Sequence, residues 1–146
     1  MMDLGFRLFL AGIFSGALTA YAQAPQNDIA AAERLLKTYG DSWAIKDPAA
    51  RLMKLQKIWC VDGSHESPFG LSSGIPAIAK EIDGFVKTYP DTKIQFTNVQ
   101  RTGKNILATF IARNPDGSIV LQGIDYIEVN EGGQLKKVVA FIRPNS

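Results

Sequence analysis

Asp125 is the residue of this sequence whose position is hardest to explain by folding alone. Residues 122–129 alternate so that Gly123, Asp125 and Ile127 share one face of a predicted strand. A carboxylate on an apolar face is costly unless it is paired, protonated or beside a cavity. The strand therefore predicts a pocket in which Asp125 orients a ligand by hydrogen bonding. The alternative is a carboxylate bonded to a neighbouring hydroxyl or backbone amide, which would hold the hairpin together.

A second group of polar side chains falls within residues 65–74, which are rich in turn-forming residues. We predict a loop here that borders a cavity. His65 is the one histidine of the chain, and its imidazole suits general acid–base work near neutral pH. The alternative is a loop histidine hydrogen-bonded to the backbone. One histidine and scattered carboxylates offer no spacing typical of a metal site, and we expect neither a metal nor a cofactor.

Three predicted helices precede the strands that would carry Asp125. Apolar residues recur at three- and four-residue steps over residues 29–45, with Tyr39 on the buried stripe. Asp47 is placed to cap a second helix, which leads into a short strand at residues 59–62. A third helix begins at Ile75 and ends at a Tyr-Pro-Asp turn.

The second half of the chain is predicted to be a meander of antiparallel strands. Side chains alternate over residues 93–100 and 105–113, and again over 118–129 and 134–142, with turn residues between them. Three helices followed by these strands predict an α+β domain, in which the N-terminal helices pack on one face of a curved antiparallel sheet.

The opposite face of that sheet also carries apolar residues. Ile124 and Tyr126 point away from the Asp125 face because side chains alternate along a strand. A sheet with apolar groups on both faces usually buries both, and here a partner chain would have to cover the second. We therefore predict a homodimer through the back of the sheet.

The first residues predict export. An apolar run over residues 8–18 follows Arg7, and small residues precede Ala22, as in a cleaved signal peptide. We expect removal of residues 1–22 by cleavage after Ala22, leaving residues 23–146 as one secreted or periplasmic domain. The run is short for a bilayer, which takes about 20 residues to cross, so we expect no stable membrane span after cleavage. The alternative is an uncleaved anchor.

The charge pattern does not favour a nucleic-acid partner. The chain has a formal net charge of +2 at pH 7. Its basic residues are separated by apolar or polar neighbours, so no positively charged stripe follows any predicted element. We expect no nucleic acid and a small apolar molecule as the ligand.

The order of these elements resembles the SnoaL-like branch of the nuclear transport factor 2-like superfamily. The resemblance rests on a tyrosine in the first helix, the triplet Pro68-Phe69-Gly70, a Gly-Ile-Pro-Ala-Ile helix start at 74–78 and a Gly-x-Asp strand at 123–125. It covers nearly the whole mature chain and implies a cone-shaped α+β barrel with an apolar pocket entering the cone. Members of this superfamily include isomerases, dehydratases, cyclases, hydrolases and proteins that only bind.

Within this superfamily the chain resembles the ketosteroid isomerases in particular. The resemblance implies that Tyr39 and Asp125 donate hydrogen bonds to a developing oxyanion, with Asp125 as a carboxylic acid kept neutral by an apolar site. Ser67 stands where those enzymes carry a general-base aspartate. A serine hydroxyl is a poor proton acceptor at neutral pH, so this departure favours binding over catalysis.

Two functions are therefore expected from the sequence. In the first, an exported protein binds a small apolar molecule in a conical pocket, with Tyr39 and Asp125 as polar handles. In the alternative, the protein is an isomerase or dehydratase in which His65 is the acid or base and the same pair polarises a carbonyl group. The residues predicted to surround the ligand are Trp43, Trp59, Ser67, Phe69, Phe85, Phe110 and Phe141.

Overall fold

The computed structural model describes residues 29–143. The predicted signal segment, residues 1–22, and its cleavage after Ala22 lie outside the described residues. Helix α1 covers residues 29–42, three residues short of the end that the periodicity predicts. The remaining elements follow in the order α2 (Pro48–Ile58), β1 (Trp59–Ser67), β2 (Gly70–Ser73), α3 (Ile75–Thr88), β3 (Lys93–Thr102), β4 (Asn105–Arg113), β5 (Ile119–Val129) and β6 (Leu135–Ile142).

The six strands form one curved sheet in the order β2-β1-β6-β5-β4-β3. The predicted α+β architecture is confirmed, with one difference: the sheet is mixed, since β1 and β6 run parallel. The four other pairings are antiparallel. The parallel pair arises because β6 returns to β1 only after α3 and four further strands, a long-range pairing that no local pattern predicts.

The segment predicted as a loop, residues 65–74, is a β-hairpin. Strand β1 continues to Ser67, and β2 pairs back onto it with Ser67 opposite Gly70 and His65 opposite Ser72. The prediction of a loop was wrong because this hairpin forms the edge of the sheet. Its outward side chains meet solvent, so it lacks the apolar alternation that marks half-buried strands.

The curvature of the sheet comes from irregular pairing. The register shifts between Trp59 and Ser64, and again between Thr97 and Gln100 where Asn98 takes a positive φ of 52°. Such bulges bend a strand and increase its twist. The concave face packs on the helices, and the buried core between them includes Leu36, Leu55, Ile78, Ile82, Ile106, Ile127, Leu135 and Val138.

The turn between α1 and α2 is held by two charged side chains. Asp47 caps α2 as the sequence predicted, since its carboxylate accepts a hydrogen bond of 2.9 Å from the amide of Ala50. Arg51 is buried, and its guanidinium donates to the carbonyl of Ile45 at 2.9 Å and contacts Asp83 of α3 at 3.3 Å. These bonds tie α2 to α3 and so set the position of α3 over the sheet.

Candidate functional site

A cavity of about 330 Å³ lies between the helices and the concave face of the sheet. Its wall is built by α1 and α3, by β1, and by strands β3 to β6. This volume is within the range of small-molecule sites, which are mostly apolar with a few polar groups. The aromatic side chains that line it are Tyr39, Trp43, Phe69, Phe85, Tyr89, Phe96 and Phe110.

Tyr39, His65 and Asp125 all line this one cavity, although they are far apart in the sequence. They come from α1, from the inward face of β1 and from the middle of β5. Of the residues predicted to surround a ligand, five also line the cavity: Trp43, Ser67, Phe69, Phe85 and Phe110.

The two other residues predicted to surround the ligand lie outside the cavity wall. Trp59 is buried behind Tyr39, with the ring centroids 5.8 Å apart, so it supports the wall without reaching the space. Phe141 is 60% exposed on the outer face of the sheet. Its neighbours Ala140 and Ile142 point inward and line the cavity instead, as the alternation of a strand requires.

Asp125 is buried in the cavity wall, and one of its carboxyl oxygens has no hydrogen-bond partner among the described residues. The residue is 3% exposed, and this oxygen is Oδ1. Its neighbours in register are Ala108 on β4 and Ala140 on β6, which offer no side-chain donor and leave space in front of the carboxyl group. Burial raises the pKa of Asp125 to about 7, against a lowering by the charge of His65. The alternative role, a carboxylate bonded to hold the hairpin, is not what this geometry shows.

Tyr39 presents a neutral hydroxyl group to the same cavity. Burial raises its pKa well above 10, and the negative charge of Asp125 raises it further. Its ring stacks on Phe96 with the centroids 5.7 Å apart. The neighbouring Trp43 has an indole Nε1 with no acceptor in hydrogen-bonding geometry among the described residues. The indole of Trp43 is nevertheless close enough to the Tyr39 hydroxyl to lower its pKa, whereas Oδ1 of Asp125 is a buried acceptor without a donor.

His65 is paired with a carboxylate that the sequence analysis did not single out. The imidazole is 5% exposed, and its Nδ1 atom lies 2.9 Å from Oε1 of Glu81 on α3. The second oxygen of Glu81, Oε2, is buried and has no partner in the described part of the chain. His65 is thus not the backbone-bonded loop histidine of the alternative interpretation, since its hydrogen-bond partner is the side chain of Glu81 on α3.

The position of Glu81 in the sequence already indicates a side chain that faces the core. It lies three residues after Ile78 and four before Phe85, so it shares the apolar stripe of α3. This is the same anomaly that marks Asp125 on its strand: an acid on a face that should be buried. The helical version is weaker, because a glutamate near the edge of a stripe can reach solvent by its length.

No family sequence model and no curated protein matches the chain. A SnoaL-like family protein from Agrobacterium tumefaciens, named as a candidate isomerase, has a similar structure, with a TM-score of 0.70 over 75% of this chain and 95% of its own, at 22% identity. The fold is that of the SnoaL-like, nuclear transport factor 2-like proteins.

Two further structures with this SnoaL-like fold are similar to the chain. A candidate SnoaL-like polyketide cyclase from Jannaschia sp. CCS1 has a TM-score of 0.63 at 14% identity, covering 77% of this chain and 84% of its own. A nuclear transport factor 2-like protein of unknown function from Exiguobacterium sp. 255-15 has a TM-score of 0.61 at 15% identity, covering 76% and 99%. At such identities the likeness concerns the fold, and activity must be argued from the site.

In this SnoaL-like cone, Ser67 has a structural task. Its hydroxyl oxygen accepts a hydrogen bond of 3.2 Å from the amide of Phe69, which tightens the hairpin turn at the cavity rim. Glu66, between His65 and Ser67, is exposed on the other side of β1. His65 is therefore the one group of this hairpin that combines a titratable side chain with a place on the cavity wall.

The cavity wall carries two acidic side chains and one histidine within residues 29–143. Glu81 and Asp125 line the cavity, while none of its described lining residues is a lysine or arginine. An anionic ligand would meet two carboxyl groups in an apolar space with no lysine or arginine on the described part of the wall to pair with it. The wall therefore favours an uncharged ligand.

Two other kinds of functional feature, a membrane-spanning helix and a metal site, are absent from residues 29–143. No helix in that range has the length and apolar character needed to cross a bilayer. No three His, Cys, Asp or Glu side chains in that range group as metal ligands.

Proposed function

We propose that this chain binds a small, uncharged and mostly apolar carbonyl compound in the cavity and moves a proton on it, as an isomerase or dehydratase does. The observation that carries the proposal is the meeting of His65, Glu81 and Asp125 in one buried apolar cavity. Ionisable groups are costly to bury, and they are concentrated where proteins carry out acid–base chemistry. The candidate isomerase from Agrobacterium tumefaciens, which shares the fold, is consistent with this class.

The polar groups of the cavity suit a carbonyl compound. A carboxyl group with a pKa of about 7 is largely protonated below neutral pH, and it can then donate a hydrogen bond to a carbonyl oxygen. The Tyr39 hydroxyl stays protonated over the same range. The aromatic wall would hold the apolar part of the ligand.

The reaction is written with His65 as the carrier of one proton. Neutral His65 accepts a proton from the carbon beside the carbonyl group. The electron pair of that C–H bond forms a C=C bond, and the π pair of the C=O bond moves onto the carbonyl oxygen. Hydrogen bonds from Asp125 and Tyr39 stabilise the negative charge on that oxygen. In an isomerase the imidazolium returns the proton to another carbon as the double bond shifts. In a dehydratase it gives the proton to a departing hydroxyl group, which leaves as water.

Binding without chemistry is the second candidate. It is favoured by Ser67, whose hydroxyl is engaged with the backbone of the hairpin turn and cannot replace a carboxylate base. In that case Asp125 and Tyr39 orient the ligand, and the pair of His65 and Glu81 closes the wall between β1 and α3.

The proposal also includes export, which rests on residues 1–22 alone. The test is to express the full chain in a bacterial host with a periplasm and to measure the intact mass of the protein released from that compartment. A mass that begins at Gln23 supports cleavage after Ala22. Protein that keeps residues 1–22 and stays with the membrane would favour the uncleaved anchor.

The experiment that tests the chemistry uses 1-indanone, a small uncharged aromatic ketone, as a probe. We expect the protein to speed the exchange of the protons beside its carbonyl group for deuterium in D₂O, followed by proton NMR. His65→Gln should lower this exchange by about 10²–10⁴-fold, the usual contribution of a general acid or base. Affinity for the probe, measured by chemical-shift titration, should be retained because the polar handles remain.

Glu66→Gln is the matched control, since it changes the next residue of β1 on the exposed side. It should leave both exchange and affinity as in the unaltered protein. Exchange that survives in His65→Gln would show that His65 is not the base. Binding of the probe with no exchange by the unaltered protein would favour the second candidate.

A further inference from the structure

The contact between Glu81 and His65 bears on which nitrogen of the imidazole carries the proton. Nδ1 of His65 lies 2.9 Å from Oε1 of Glu81, and no other hydrogen bond of this imidazole is seen within residues 29–143. An ionised carboxylate is an acceptor only, whereas a neutral imidazole carries one N–H and one bare nitrogen. With an ionised carboxylate at Glu81, a hydrogen bond at this distance places the N–H of a neutral imidazole at Nδ1.

We infer that Glu81 is a positioning residue that holds His65 in the Nδ1–H tautomer, so that the bare Nε2 is the atom that exchanges protons with a ligand in the cavity. The inference rests on the proposed function for the role of Nε2, while the assignment of the tautomer stands on the geometry alone. In water the imidazole of histidine prefers the other tautomer, with the proton on Nε2. Glu81 thus reverses the intrinsic preference, because the partner of one ring nitrogen decides the state of the other.

The groups that face His65 from each packed element agree with this assignment. Glu81 comes from α3 on the Nδ1 side, and Asp125 comes from β5 with a charge interaction with the imidazole. The ring of Trp43, in the turn just after α1, packs against the imidazole with the centroids 5.6 Å apart. On its own strand β1, Glu66 points to solvent. No second acceptor competes for Nδ1 among the described residues.

Glu81 itself is poorly anchored apart from this contact. Its Oε2 atom is buried without a partner, and its hydrogen bond to His65 is the one that the structure shows for its side chain. A buried carboxylate oxygen left without a donor is destabilising. If Glu81 served only to join α3 to β1, an apolar residue at this position would give a similar or larger free energy of unfolding. Its presence is better explained by an effect on the imidazole, which after accepting a proton is stabilised by the adjacent negative charge.

The test is direct because His65 is the only histidine, so every imidazole signal of tag-free, ¹⁵N-labelled protein belongs to it. Long-range ¹H–¹⁵N correlation spectra at pH 8 or above distinguish the two neutral tautomers. We expect the unaltered protein to carry its proton on Nδ1. Glu81→Gln keeps an acceptor and should keep that tautomer, whereas Glu81→Leu removes the acceptor and should move the proton to Nε2.

Lys80→Leu is the control, since it changes an exposed neighbour on the same helix to the same apolar residue. It should leave the tautomer unchanged. A proton found on Nε2 in the unaltered protein would overturn the inference, and so would an unchanged Nδ1–H signal in Glu81→Leu. Because Glu81→Leu could disturb packing, its fold is checked by the methyl spectrum, and Glu81→Gln provides a second, milder comparison.

The functional half of the inference is tested by the exchange of 1-indanone protons. Glu81→Leu should slow exchange by about 10²-fold, the usual effect of a misplaced catalytic group, with little change in affinity for the probe. Glu81→Gln should slow it less, since the tautomer is kept and only the charge is lost. If the unaltered protein shows no exchange, the proposed reaction is wrong. The assignment of the tautomer is tested separately, by the NMR spectra alone. Equal exchange in Glu81→Leu and the unaltered protein would contradict the positioning role.

Discussion

Asp125 is the residue at which the needs of folding and of binding differ most. Its carboxyl group sits between Ala108 and Ala140 and lacks a donor among the described residues, so ionisation leaves a negative charge in an apolar space. A folded chain relieves this by keeping the proton, which is why burial raises the pKa to about 7. The same feature makes the group a hydrogen-bond donor for a ligand.

This raised pKa predicts how stability depends on pH. The pKa of Asp125 rises from 3.8 to about 7 on folding, so the folded state binds the proton more tightly. Its contribution to the free energy of unfolding is complete below pH 3.8 and is lost as the pH rises to about 7. The difference corresponds to about 4 kcal/mol. Asp125→Asn should therefore be more stable than the unaltered protein at pH 8, by up to that amount, in urea unfolding.

The comparison at pH 4 provides the control for that measurement. There the carboxyl group is protonated in the folded state, and the two proteins should unfold at similar urea concentrations. Asp125→Asn that is no more stable than the unaltered protein at pH 8 would show that the carboxyl group pays no penalty for burial.

The same pKa predicts the alkaline side of the activity profile. Exchange of 1-indanone protons should fall as the pH rises through about 7, because Asp125 loses the proton with which it holds the developing oxyanion. Asp125→Asn keeps a donor that does not titrate, so this fall should disappear. Asp125→Leu should be slow at every pH. A fall of equal size in Asp125→Asn would assign the alkaline limb to another group.

At the scale of elements, the cavity exists because strands and helices approach closely at some points and stay apart at others. Gly123 on β5 is a point of close approach: a Cβ atom there would overlap the carbonyl oxygen of Phe141 and lie 2.9 Å from the ring of Phe110. Gly84 on α3 also lines the cavity, but a Cβ there meets nothing within 4 Å. The missing side chain at Gly123 permits the close approach of β5 to β6, and the one at Gly84 leaves open space in the cavity wall.

These two glycines give a matched prediction. Gly123→Ala should lower the free energy of unfolding by about 3 kcal/mol, since the backbone of β6 must shift to accept the methyl group. Gly84→Ala should leave stability unchanged or raise it by up to about 1 kcal/mol, because alanine favours a helix over glycine. Both are measured by urea unfolding at one pH. Equal losses in the two variants would contradict the assigned crowding at β5.

At the scale of the whole molecule, the outer face of the sheet carries two neighbouring rows that contain apolar side chains. Leu107, Tyr126 and Val139 lie in one row across β4, β5 and β6, and Ile124 and Phe141 lie in the next. Leu107 and Phe141 are largely exposed in the single chain. The sequence had placed Ile124 and Tyr126 on this face, and the homodimer through it remains a prediction.

We expect the protein from residue 23 onward to be a dimer at micromolar concentration, as measured by light scattering. Phe141→Lys should reduce the mass to that of a monomer, because a charge would be buried at the predicted contact. Met53→Lys changes an exposed residue of α2, away from the sheet, and should leave the mass unchanged. A monomer for the unaltered protein would refute the predicted interface.

The sequence was informative wherever a local pattern decides the outcome. The alternation around Asp125 placed this residue on the buried face of β5, and the stripe of α1 placed Tyr39 inside. The capping role of Asp47 followed in the same way. These are relations between residues a few positions apart, so they are set by the pitch of a helix or the pleat of a strand.

The parallel pairing of β1 with β6 depended on contact between strands that are distant along the chain, which no local period contains. The place of the β1–β2 hairpin at the edge of the sheet and the outward side of Phe141 became visible only in the assembled sheet. The contact of Glu81 with His65 depended on where α3 lies over the sheet, which Arg51 and the core help to set. The sequence by itself determined that side chains such as Tyr39 and Asp125 face inward. Only the tertiary structure decided which of them meet, because that depends on the packing of elements that are remote along the chain.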